Sequence, residues 1–141
     1  MGFQGRSPLK YDVIIVGAGP AGIFSALELT EKNNLKVLML DRGQDINQRK
    51  CPANRGFECV NCDPCTVLSG WGGAGAFSDG KLTLSTEVGG WLNQYVSNNE
   101  LEELIKYSDG IYLKFGATQH TYGAEDERPD EIERRASLAG L

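Results

Sequence analysis

Residues 11–43 read YDVIIVGAGPAGIFSALELTEKNNLKVLMLDRG, and that one stretch decides the fold. The short apolar run from Val13 to Val16 is the pattern of a strand buried on both faces of a parallel sheet. Gly17 permits a sharp exit from that strand, Gly19 has no Cβ to hold a ligand off the backbone, and Gly22 lets the following helix lie close to the strand. Pro20 suits the first turn of that helix, where an N–H would lack an intrahelical partner. Free amides and the positive end of the helix dipole then face the turn, which makes it an anion site. The spacing predicts a pyrophosphate held by backbone, with Gly17, Gly19, Pro20, Ala21 and Gly22 as the binding turn.

Ile23, Ala26, Leu27 and Leu29 continue at helical spacing, Glu28, Glu31 and Lys32 take the wet side, and Asn33 and Asn34 stop the helix. Val37 to Leu40 reads as a second buried strand. Asp41 follows at its carboxyl end, at the roughly 20-residue offset of the acid that accepts ribose hydroxyls. A carboxylate there repels a 2′-phosphate and so disfavours NADP. The plain alternative, a Gly-rich turn without a ligand, would leave the flanking strands, the helix period and Asp41 as coincidences.

The chain has 141 residues, 40 % of them hydrophobic, enough for one domain with a modest core. A net charge of −5 gives no support for binding nucleic acid or an anionic membrane. No apolar run approaches the roughly 18 residues of a membrane span. The apolar stretch after Lys10 imitates a secretory leader, but its glycines and proline would interrupt a continuous apolar helix. The expectation is a cytoplasmic protein with no membrane span and no nucleic-acid partner.

A second glycine cluster, SGWGGAGAFSDGK at 69–81, has five glycines and little bulk. Backbone that must pass beside a flat or charged ligand needs such a composition, and the entropy lost in ordering it calls for a ligand or a packed neighbour. A flexible surface loop is the alternative, against which Trp71 and Phe77 argue for partial burial.

With that cluster a resemblance becomes specific. VGAGPAG at 16–22 with LDRG at 40–43 is similar to the N-terminus of flavoproteins with two dinucleotide-binding domains. SGWGGAGAFSDGKL at 69–82 resembles the FAD-dependent dehydrogenase family of bacteria and archaea, and the likeness extends through EVGGWL at 87–92 and IYLKFGA at 111–117. The resemblance implies FAD as cofactor, with Gly17, Gly19, Pro20, Ala21 and Gly22 on the pyrophosphate, Asp41 on the adenosine ribose, and Gly73 with Ala74 on the flavin side; Arg42, next to Asp41, is a further candidate cofactor-binding residue. Proteins of that family are much longer and close the FAD site with a later Gly-Asp segment, so the resemblance implies that residues 1–141 are an N-terminal portion.

Four cysteines, Cys51, Cys59, Cys62 and Cys65, are spaced Cys-x7-Cys-x2-Cys-x2-Cys. Paired Cys-x2-Cys turns suit zinc or an iron–sulfur cluster, with Cys51 as a candidate fourth ligand. Four reduced thiols, or a thiol relay to flavin, are the other readings. Arg49, Lys50 and Arg55 surround Cys51, and a short charge run of this kind is usually a solvated face. The same applies to Asp79 and Lys81 beside the glycine cluster. His120, the only histidine, has no nucleophile elbow to serve.

Further along, Trp91, Leu92, Tyr95 and Val96 have helical spacing. Leu101, Leu104, Ile105, Ile111, Tyr112 and Phe115 follow as a core-type stripe after a cap at Asn98 or Asn99. Pro129 opens a last helix with Asp130, Glu131 and Glu133 early and Arg134 and Arg135 late.

The expected fold is α/β, the N-terminal part of a Rossmann-like FAD/NAD(P)-binding domain with an incomplete parallel sheet and additional helices. Its parts are a βαβ unit at 11–43, Cys-rich and Gly-rich loops at 51–81 and a helical region at 90–141. The expected function is that of an FAD-binding, dehydrogenase-like oxidoreductase, with NAD(P)H a candidate electron donor and its small-molecule substrate or electron-transfer partner unspecified. The alternatives are an NAD-binding dehydrogenase and a non-enzymatic zinc or iron–sulfur module on a Rossmann scaffold.

Overall fold

A computed structural model describes residues 9–78, 80–121 and 128–140. Asp79 lies outside the described residues. The elements in chain order are strand β1 (Val13–Val16), helix α1 (Pro20–Asn33), strand β2 (Val37–Leu40), helix α2 (Asn98–Lys114) and helix α3 (Arg128–Leu138). Short 3-10 turns at Ala53–Arg55, Gly73–Phe77 and Leu92–Gln94 punctuate the rest. The chain divides into two compact units, one ending at Lys81 and the other beginning at Leu82.

In the first unit β1 and β2 pair in parallel, with Val13 opposite Val37 and Val16 opposite Leu40. Two parallel strands need a crossover, and α1 supplies it. Proline at the first helical position starts α1, and Asn34 ends it in the left-handed conformation (φ 51°), its N–H donating to the Leu29 carbonyl. Glu28 and Lys32 form an i,i+4 ion pair on the helix.

β1 is not buried on both faces, as its composition led us to expect. Exposure alternates along it, Ile14 being 60 % and Val16 85 % exposed. α1 covers one face only, the Ile15 side chain reaching towards Gly22. Among the described residues Ala18 is the one fully buried hydrophobic residue, so packing is tightest at the glycine turn itself.

In the second unit α2 opens on a capping box rather than on an asparagine. The Glu100 amide donates to Ser97 Oγ, and Glu100 Oε2 accepts from the Ser97 amide at 3.1 Å. That box needs Ser97 extended (φ −67°, ψ 157°), which separates the Trp91–Val96 segment from α2 and limits it to one 3-10 turn. The expected apolar stripe is helical but not a core, since Leu104, Tyr112 and Phe115 are exposed. α3 begins at Arg128, one residue before the proline, and an Arg134–Glu131 ion pair at 2.8 Å lies along it.

Candidate functional site

The first glycine turn is built to leave amides unused. Gly17 takes φ 107°, a conformation costly for any residue with a Cβ, and donates its N–H to the Leu40 carbonyl at 2.7 Å. Gly19 caps α1 with no side-chain hydrogen bond, and the Ile23 amide, bonded to the Gly19 carbonyl at 3.0 Å, is the first to find an acceptor within the helix. The amides of Ala21 and Gly22 therefore have no intrahelical acceptor. A Cβ at Gly22 would overlap the Gly17 carbonyl, whereas one at Gly19 would enter open space. These are the two properties required of a turn that packs tightly below and admits a ligand above.

Asp41 is more than an acid at a strand end. Its Oδ2 accepts from the Ala18 amide and its Oδ1 from the Gly43 amide, each at 2.8 Å. The carboxylate thus bridges the end of β2 to the glycine turn. The Ala18 amide first, then that of Gly43, hold its pKa below the ordinary carboxylate value, against a smaller opposing effect of desolvation. Each oxygen keeps lone-pair capacity for a further donor. Val16, Gly17, Leu40, Asp41 and Arg42, with Leu68 and Ser69, line a cleft of about 460 Å³, within the range of small-ligand sites.

The second glycine segment packs directly on the first. The Gly72 amide donates to the Ala18 carbonyl at 2.8 Å. Gly73, buried at φ 58°, stands so close to the Gly19 backbone and the Pro20 ring that a Cβ would lie 3.1 Å from Gly19 Cα. Ala74, beside it in the 3-10 turn, is exposed. Of the two bulky residues expected to be partly covered, Phe77 is half-buried and Trp71 is 43 % exposed.

One residue read as surface charge is central. Arg49 is 5 % exposed and spends its guanidinium on three carbonyls: Nε on Thr66 at 2.8 Å, Nη1 on Trp71 at 2.7 Å and Nη2 on Val67 at 2.6 Å. Its cation lies 4.7 Å from the centroid of the Phe77 ring. A lone arginine between Gln48 and Lys50 carries no sequence signal for this, because its acceptors are backbone atoms 17 to 22 residues away. Lys50 and Arg55 are exposed, as expected of them.

The remaining candidates lie apart. Arg42 lines the cleft but its Nη2 donates to Asp63 at 2.7 Å. The four cysteines are free thiols, and among the described residues no three His, Cys, Asp or Glu side chains converge as ligands for a metal. Cys59 and Cys62 are exposed, with Cys59 Sγ 3.7 Å from Asn61 Oδ1, while Cys51 and Cys65 are half-buried. The amides of Leu68 and Val67 hold the Cys65 thiol below its ordinary pKa. The metal reading of the Cys-x2-Cys spacing thus finds no gathered ligand set. His120 and Lys81 are exposed. Among the described residues no helix is long and apolar enough to cross a membrane.

Known proteins share much of this sequence. Residues 11–127 match the family model described as pyridine nucleotide-disulphide oxidoreductase. A Clostridium beijerinckii protein described as uncharacterized is 35 % identical over 118 residues, covering 83 % of this chain and 21 % of that protein. The digeranylgeranylglycerophospholipid reductase of Methanosarcina mazei is 35 % identical over 94 residues, covering 62 % of this chain and 23 % of its own. The thioredoxin reductase of Bacillus subtilis is 44 % identical over 54 residues, 36 % of this chain and 17 % of that enzyme. The chain therefore spans about a fifth of the length of the relatives it matches. No solved structure matches.

Proposed function

Because the chain belongs to the pyridine nucleotide-disulphide oxidoreductase family, we propose that it forms the N-terminal, FAD-holding part of a dehydrogenase-like oxidoreductase. The observation that carries this reading is the apposition of the two glycine segments, Gly73 on Gly19 and Pro20, over the uncapped start of α1 and next to the Asp41 cleft. A dinucleotide turn alone serves NAD as well as FAD. A second glycine segment seated on that turn gives room and backbone for a longer, flat cofactor.

The donor set fits such a group. The Ala21 and Gly22 amides and the helix dipole would receive the pyrophosphate, with Gly17, Gly19 and Pro20 shaping the turn. Asp41 would accept the ribose hydroxyls on lone pairs that its two amide donors leave unused, beside Arg42. Val16, Leu40 and Leu68 give the cleft apolar walls suited to an adenine ring. Gly73 and Ala74 would face the flavin side. When bound, FAD supplies the electron or hydride exchange, and no side chain of this segment has to react. NAD(P)H is the proposed electron donor, and four free thiols suit the reducing cytoplasm.

FAD titrated into the longer protein that carries these residues should give saturable binding and raise its melting temperature. Asp41→Ala should weaken FAD roughly tenfold or more, since it removes an ionised hydrogen-bonding group from both ribose and turn. Stabilisation by NAD alone would replace FAD with the nicotinamide reading, and unchanged FAD affinity in the Asp41 variant would remove that residue from the site.

A further inference from the structure

We propose that Arg49 is a positioning residue of the cofactor site, acting through the second glycine segment rather than on the ligand. The inference rests on the FAD reading above. A segment as glycine-rich as 70–75 loses much backbone freedom on ordering, so something must hold it. Arg49 does so from beneath. Its Nη1 fixes the Trp71 carbonyl, its Cδ and Nε lie against Gly70, and its guanidinium stacks on Phe77 at the far end of the 3-10 turn. The other two nitrogens anchor the same group to the Thr66 and Val67 carbonyls of the cysteine loop. Between the ends so fixed, Gly72 donates to Ala18 and Gly73 rests on Gly19.

Three of the five guanidinium N–H donors are engaged by carbonyls and the side chain is 5 % exposed, so Arg49 offers almost no surface to a phosphate. Lysine cannot substitute. Its ammonium is a point donor that cannot meet three carbonyls in the planar fork of a guanidinium, although the charge is the same. A residue that positions Gly70–Phe77 should matter most for a ligand that spans this segment; one confined to the first glycine turn and the Asp41 cleft feels Arg49 only through Leu68, Ser69 and the charge beside Asp41, and should lose less. FAD and ADP differ in this respect on the proposed reading.

The test is titration of the longer protein that carries these residues, as wild type, R49K and R49M, with FAD and separately with ADP. Both variants should lose roughly ten- to a hundredfold in FAD affinity, with the loss in ADP affinity at least about fivefold smaller. Should R49M fail to fold by circular dichroism, R49K carries the comparison with the same split expected. FAD binding at wild-type strength in R49K or R49M overturns the proposal, and so does an equal loss of FAD and ADP, which marks Arg49 as general support of the fold. Longer wild-type protein that binds ADP but not FAD instead sinks the flavin reading and this inference with it, a failure visible before any variant is made.

Discussion

Asp41 has two oxygens, and the fold uses both. Its position at the end of β2 was readable because the offset from the first glycine is fixed by one strand, one turn and one helix. Its second role, clamping the Ala18 amide, was not, since that contact depends on how the turn folds back over the strand end. The two amide donors favour the ionised form, so the folded pKa lies below the unfolded value. The stabilisation is then fully present above the unfolded pKa, about 3.9, and is lost as pH falls through the lower folded value. Urea midpoints followed from about pH 6 down to about pH 2 should therefore fall more steeply in wild type than in D41N over the acid end of that range. Identical slopes would show that the carboxylate charge does not support the turn. Arg49 is the opposite case. Its neighbours in sequence look like a solvated basic run, and only the arrival of three distant carbonyls makes it a buried group.

Helices were legible where their termini carry chemistry. α1 runs from its proline to the left-handed Asn34, both of which act through their own backbone preferences. At α2 Ser97 rather than Asn98 or Asn99 is the cap, because Glu100 lies three residues on and returns the hydrogen bond. Ser97→Ala should cost about 1 kcal/mol in urea unfolding by removing one half of the box. Asn98→Ala, one position inside the helix, should be nearly silent in the same assay. Strand burial was misread for a different reason. An all-apolar run records what a strand can bury, whereas its exposure depends on how many elements lie against it, and α1 reaches only one face of β1.

Taken as a whole, the molecule is two compact units meeting in sequence between Lys81 and Leu82. Junctions between compact units are favoured cleavage sites and Lys81 is exposed, so brief trypsin treatment should cut there first and release fragments of 81 and 60 residues. Early cleavage at Lys32 or Lys106, both within helices, with Lys81 intact would argue against the division. The sequence by itself determined the βαβ unit, its glycine turn and its terminal acid, because each is set by residues within one strand, one turn or one helix of the next. Only the tertiary structure decided that the second glycine segment rests on the first, that Arg49 is the buried tie beneath it and that, among the described residues, no three of the thiols gather as a ligand set. Those outcomes depend on where loops far apart in the chain come to pack, and no local periodicity or spacing encodes that meeting.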